Sequence, residues 1–261
     1  MGDLFTDLIG QPLAVNLLTA ALQHQRLAPA YLFAGPEGVG RRLAALRLLE
    51  GVLAGGVLSS RQRRRLLERN HPDLLWLEPT YQHQGRLFTS SEAEEAGLSR
   101  RTPPQLRLEQ IRNVSRFLAR QPVEAERGMV VIETAEAMPE AAANALLKTL
   151  EEPGHGLLIL LSAAPERLLS TIRSRCQLIR FLRLGDADVQ QVLQRCGEQK
   201  DDPLELLAMA AGSPGALLEH RRQREALPVD LVDHRRDLVR LRPPRDEAEL
   251  VQQLDILGGR D

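Results

Sequence analysis

Five short runs of the chain are apolar at nearly every position: Ala30–Ala34 (AYLFA), Asp73–Leu77 (DLLWL), Met129–Glu133 (MVVIE), Leu157–Ser162 (LLILLS) and Gln177–Phe181 (QLIRF). Runs that do not alternate are the signature of strands buried on both faces, and such strands belong to parallel sheets. Amphipathic stretches separate them. Pro12–Gln23 sets Leu13, Leu17, Ala20 and Ala21 on one face, and Gln105–Ala119 does the same with Ile111, Val114 and Leu118. Pro139 opens a further helix at a first-turn position, where a missing N–H costs nothing. Strand–helix alternation of this kind predicts an α/β domain with helices on both faces of the sheet.

The alternation stops near Leu184. Only helical stretches follow, at Asp186–Cys196, Pro203–Ala211, Gly215–Ala226 and Val229–Arg240. The organisation expected is an α/β domain over 1–183, a small all-helical domain over 184–222 and a helical C-terminal segment over 223–261, ending in a frayed LDILGGRD tail. The polar segment 79–104, closed by Pro103-Pro104, predicts an extended loop or insertion.

A net charge of −1 excludes a strongly basic nucleic-acid-binding protein and an acidic disordered tail. It leaves room for a local basic patch such as Arg61–Arg65, which reads as a solvated helix face or a DNA-phosphate contact. Five Phe, two Tyr and one Trp are too few for a single-strand surface of stacked aromatics. Cys176 and Cys196 cannot build a disulfide framework or a four-cysteine zinc site. The N-terminus lacks the basic-then-apolar order of a signal peptide, and no apolar run nears the roughly 18 residues of a membrane span. The expectation is a cytoplasmic protein with no membrane contact. Two lysines, Lys148 and Lys200, stand against 32 arginines, a skew that GC-rich coding explains in bulk.

The first strand runs into Gly35-Pro36-Glu37-Gly38-Val39-Gly40-Arg41-Arg42, followed by an apolar helix from Leu43. Strand, glycine loop and helix is the setting of the phosphate-binding pattern G-x-x-x-x-G-K-[ST], met here at Gly35 and Gly40. Its chemistry is defective. The lysine that reaches the β- and γ-phosphates is replaced by Arg41, and the hydroxyl that ligates magnesium by Arg42. The arginine bias accounts for Arg41 but not for Arg42, because a guanidinium has no lone pair for a metal. The strand MVVIE is damaged in the same direction. Glu133 can stand in for a metal-holding Asp, but the next position, where a catalytic Glu is expected, is Thr134, with Glu136 two residues on. These losses point to a nucleotide-shaped fold that does not hydrolyse nucleotide. Positive charge is disfavoured at a helix N-terminus. Arg41 and Arg42 therefore either pair with a carboxylate such as Glu133 or Glu136, fill the phosphate pocket themselves, or stay solvated.

Two segments carry a family resemblance, Ala142-Ala143-Asn144-Ala145-Leu146-Leu147-Lys148-Thr149-Leu150-Glu151-Glu152-Pro153 and Leu169-Ser170-Thr171-Ile172-Arg173-Ser174-Arg175-Cys176. They closely resemble the clamp-loader branch of the AAA+ ATPases, whose SRC motif matches Ser174-Arg175-Cys176. Leu8-Ile9-Gly10-Gln11, Asn70-His71-Pro72-Asp73-Leu74, Leu108-Glu109-Gln110-Ile111-Arg112 and Ala211-Gly212-Ser213-Pro214-Gly215 match as well, in the family's order, over roughly residues 5–220.

The resemblance implies an AAA+ P-loop domain with a five-stranded parallel sheet, a small all-helical lid domain and a short helical C-terminal segment. With the loop degenerate, it implies the non-hydrolysing member of a loader pentamer that places a sliding clamp on primed DNA. The implied partners are the loader's ATPase and delta subunits, with the clamp and primed DNA reached through the complex. It gives Arg175 the role of an arginine finger in a neighbour's ATP site, and makes Ser174 and Cys176 turn and packing residues. ATPase siblings carry an Arg at the position of Gly215. Two departures stand out. The region Gly51–Arg69 has no cysteine where many relatives hold a zinc module, so zinc is not expected, and the degenerate loop makes ATP an unexpected cofactor as well. A family collar domain would have to fit in residues 218–261, so it is either shortened or in part absent. The rival readings are an active AAA+ ATPase, such as an ATPase loader subunit or a branch-migration motor, and a free-standing DNA-binding module.

Overall fold

In the computed structural model, residues 4–54, 58–89, 92, 93, 96, 102–198 and 200–226 are described. The five apolar runs form one sheet. β1 (Ala30–Ala34), β2 (Leu74–Leu77), β5 (Met129–Ile132), β6 (Leu157–Ser162) and β7 (Gln177–Arg180) are ordered β2-β5-β6-β1-β7, and every pairing is parallel. Every residue of β1, β5 and β6 is buried, as their unbroken apolar sequences require. β7 lies at the edge and buries only Ile179 of its four residues.

Side chains alternate across the sheet. Leu32, Val130, Ile132, Leu158 and Leu160 face a layer built from α4 (Leu108–Leu118) and α5 (Glu140–Glu151), whose Ile111, Val114, Ala142, Leu146 and Leu150 complete one buried cluster. Tyr31 and Phe33 point to the opposite face, where Phe33 packs on Phe181 with ring centroids 5.3 Å apart. α1 (Pro12–Gln23) and α2 (Arg41–Ala54) pack on one another, and they also contact β7 and β6 respectively. Helices thus cover both faces of the sheet.

Three sequence expectations need correction. α1 has the expected bounds but buries Ala14 and Leu18, leaving Leu13 and Leu17 66% and 51% exposed. The helix carries two adjacent apolar stripes, and periodicity alone does not choose between them. The small Ala14 belongs to the stripe that faces inward. Pro139 is the residue before α5, in extended conformation, rather than its first helical residue. The segment 79–104 contains a hairpin, β3 (Tyr81–His83) with β4 (Arg86–Phe88), turned by Gln84 and Gly85 at positive φ as a two-residue turn requires. Its base is pinned where Thr80 and Gln105 exchange backbone hydrogen bonds of 2.9 and 3.1 Å.

α3 (Ser60–Leu67) follows α2 and starts with a capping box between Ser59 and Gln62. α6 (Ser170–Arg173) precedes β7, and α7 (Asp186–Arg195), α8 (Leu204–Ala210) and α9 (Pro214–Ala226) follow it. The chain divides into two compact units, Met1–Ala216 and Leu217–Asp261. The second is helical over its described residues, 217–226, and the rest of the expected C-terminal segment 223–261 lies outside the described residues.

Candidate functional site

A parallel sheet gathers at one edge whatever follows its strands, and ligands of such folds bind there. The phosphate-type loop follows β1, Glu78 follows β2, Glu133 follows β5, and Ala163 follows β6. The fold therefore brings together Gly35, Gly38, Gly40, Arg41, Arg42, Glu133, Thr134 and Glu136.

Arg42 donates to Glu133, and Glu133 also accepts from Arg69 at 3.3 Å and from the Trp76 indole. Arg69 stacks over Trp76, 4.8 Å from the ring centroid, and pairs with Glu78, which lies 3.8 Å from Arg42. The Glu133 carboxylate is thus engaged by two guanidinium groups and an indole. The guanidinium of Arg42 sits on it, at the position where the sequence pattern expects a hydroxyl. Residues Arg69, Trp76 and Glu78 carry no sequence signal of this role, because only the fold brings them beside Glu133. Replacing Glu133 with alanine strands the Trp76 N–H and unpairs Arg42 and Arg69. The unfolding free energy in urea should fall by about 2–3 kcal/mol.

Among the described residues Arg41 has no such partner. Its Nη1 is buried without a hydrogen bond among the described residues, as are Oε2 of Glu136 and Oγ of Ser162. Burial pulls the Arg41 guanidinium below the usual arginine range, against the opposing fields of Glu136, Glu37 and Glu133. Glu136 Oε1 accepts the Ala163 N–H at 2.9 Å and so ties the end of β5 to the end of β6. Thr134 is a β-branched residue in the left-handed region, at φ 48° and ψ 53°. That conformation is rare for its type and costs about 1–3 kcal/mol. Its neutral hydroxyl is no substitute for a catalytic carboxylate.

The loop is closed from above. Gly215 donates its N–H to the Gly38 carbonyl at 3.1 Å, and Ser213 Oγ donates to the Glu37 carbonyl at 2.6 Å. A Cβ on Gly215 would lie 2.5 Å from the Gly38 Cα, and one on Gly38 would lie 2.7 Å from the Gly215 Cα. The two backbones meet where no side chain fits, so an arginine at position 215 is incompatible with this contact. Gln11 braces the same loop. Its amide donates to the carbonyls of Val39 and Leu182 at 3.2 and 2.7 Å and accepts the Leu182 N–H at 3.0 Å.

Ser174, Arg175 and Cys176 lie elsewhere. They precede β7, which pairs in parallel with β1 from Tyr31↔Gln177 to Ala34↔Arg180. They therefore sit at the amino end of the sheet, whereas the loop begins at the carboxyl end of β1. At about 3.3 Å per residue Arg175 and the start of the loop are separated by roughly 20 Å, more than an arginine side chain spans. Arg175 donates to the Thr171 carbonyl and to Glu151, at 3.0 and 2.9 Å. Ser174 Oγ also donates to the Thr171 carbonyl, at 3.1 Å, closing the turn. Burial pushes the Cys176 thiol up to about 12, so it is protonated at neutral pH and a poor nucleophile. In the basic run, Arg63, Arg64 and Arg65 face Glu50, Glu68 and Glu124 at 3.5, 2.6 and 2.8 Å.

Among known proteins, the family model described as DNA polymerase III, delta subunit, matches residues 10–185, and that of the cyanobacterial DNA polymerase III delta prime C-terminal domain matches residues 187–256. DNA polymerase III subunit delta' of Pseudomonas aeruginosa is 36% identical over 72% of this chain and 54% of its own. The Bacillus subtilis delta' is 34% identical over 70% of this chain and 51% of its own. The tau/gamma subunit of Haemophilus influenzae is 28% identical over 82% of this chain and 29% of its own. The chain spans about half the length of the two delta' relatives that it matches. Together with the parallel sheet and its glycine loop, these matches establish that the chain belongs to the delta-prime family of DNA polymerase III subunits.

Proposed function

We propose that this protein is a non-hydrolysing subunit of the DNA polymerase III clamp loader and lends Arg175 to the ATP site of a neighbouring subunit. The observation that carries the reading is the separation of Arg175 from the chain's own loop. An arginine at the amino end of β7 is out of reach of a phosphate at the carboxyl end of β1, so any phosphate that it serves belongs to another chain. A guanidinium placed there stabilises charge on the phosphoryl group being transferred.

The state of the chain's own loop agrees with this. A magnesium-bound nucleotide, which the fold family implies, does not fit the residues present. Position 42 offers no oxygen ligand, Glu133 already holds a guanidinium, and position 134 holds no general base. No hydrolytic step is assigned to this chain. Its partners in this reading are the loader's ATPase and delta subunits. The sliding clamp and primed DNA are reached through the assembled complex.

The experiment is ATP turnover by the purified chain, alone and with its ATPase and delta partners. Alone it should release phosphate no faster than buffer, and its addition should raise turnover by the partners in the presence of clamp and primed DNA. Turnover by the isolated chain that disappears in a Glu133→Ala variant would overturn the reading in favour of an active ATPase.

A further inference from the structure

The guanidinium of Arg175 is held on two sides within its own chain. Nη1 donates to the Thr171 carbonyl at 3.0 Å and Nη2 to Glu151 Oε1 at 2.9 Å. Both acceptors are mounted on fixed elements. Thr171 lies in α6, which is anchored by the fully buried Ile172, and Glu151 is the last residue of α5, which is seated in the core by Leu146 and Leu150. A carboxylate in the last turn of a helix faces the negative end of the macrodipole and gains the helix nothing. Glu151 nonetheless occupies that place, and its ion pair is with Arg175. Arginine carries five N–H donors in a rigid fork. The two contacts use one from each terminal nitrogen, so three donors remain for phosphoryl oxygens while both contacts persist.

We infer that Glu151 is a positioning residue for Arg175, fixing the plane and direction of the guanidinium before a neighbour's nucleotide is engaged. This rests on the reading of Arg175 as a finger. An unrestrained arginine must lose the freedom of its long side chain in the transition state. One held by Glu151 and Thr171 has lost part of it beforehand, and that difference enters the catalytic rate rather than substrate affinity. Glu151 touches no nucleotide in this scheme and acts only through Arg175.

The test uses the full complex, reconstituted with its ATPase and delta subunits, sliding clamp and primed DNA. Glu151→Ala should lower kcat for ATP by about fivefold and leave KM unchanged. Glu151→Gln keeps a neutral acceptor at the same place and should stay within about threefold of the parent. In an Arg175→Ala background, Glu151→Ala should have no further effect. Equal losses in both backgrounds would make Glu151 merely structural and overturn the inference. So would an unchanged kcat in Glu151→Ala beside a lowered one in Arg175→Ala, which leaves the finger standing. An inert Arg175→Ala would overturn the finger reading and the positioning role with it.

Discussion

Replacing Arg175 with alanine should lower ATP turnover at the site it serves by on the order of 10³-fold, with fold and assembly intact. The size follows from what a guanidinium does in a desolvated phosphoryl-transfer site. It meets charge that develops on the transferring group, with a rigid set of donors that needs no reorganisation during the reaction. The structural cost is small by contrast. The Arg175 and Glu151 side chains are 35% and 52% exposed, and an ion pair so open to water contributes about 0–1 kcal/mol. Thermal unfolding and gel filtration of the variant complex should therefore match the parent. Single-turnover hydrolysis with clamp and primed DNA should not. Arg175→Lys should recover little, because a compact ammonium cannot keep both local contacts and still present a fork to the phosphoryl oxygens. Unchanged turnover in Arg175→Ala would remove the finger from the mechanism.

The legibility of this chain depended on where its information is local. The five strands were readable within a residue or so, because burial on both faces writes itself as unbroken apolar sequence. The hairpin at Tyr81–Phe88 is not legible because its strands are three residues long and mix polar and apolar residues on both faces, with Tyr81 opposite Phe88 and Gln82 opposite Leu87. The choice of buried stripe on α1 was missed because both stripes are apolar, and only tertiary packing separates Leu13 and Leu17 from Ala14 and Leu18. At the loop, Arg41 and Arg42 in place of lysine and hydroxyl are visible as chemistry out of place, and the sequence offers Glu133 and Glu136 as their carboxylate partners. Arg69, Trp76 and Glu78 complete that cluster from positions 55–64 residues before Glu133, a closeness that no pattern encodes. Glu151 stood within a recognised motif, yet its role as the acceptor for Arg175 required two helices to be placed side by side.

Asp73 should carry the largest single contribution to stability of any polar residue in this domain. It is 3% exposed, and its carboxylate accepts the backbone N–H groups of Val123, Glu124 and Ala125 at 2.7, 2.7 and 2.8 Å. Its own carbonyl accepts the Met129 N–H at 2.8 Å, and its N–H donates to His71 Nδ1 at 3.2 Å. One side chain thus fastens the loop that returns the chain from α4 to β5, and with it the strand that presents Glu133. Alanine would leave three backbone donors without an acceptor, each worth about 1–3 kcal/mol when buried. Partial relaxation of the loop brings the expected loss to about 3–5 kcal/mol in urea unfolding. Asparagine should recover less than half of it, because its amide keeps one acceptor and turns donors toward donors. The pH dependence fixes the cause. Burial opposes ionisation of Asp73, but the three N–H groups together outweigh it and hold the carboxyl below its usual range. A depressed folded-state pKa adds stability that is fully present above the unfolded value near 3.9 and is lost as pH falls through the folded one. The difference in unfolding free energy between the parent and Asp73→Asn should therefore be constant above about pH 5 and shrink below about pH 4. A difference that does not change with pH would mean that the aspartate acts through shape and hydrogen bonding alone, without its charge.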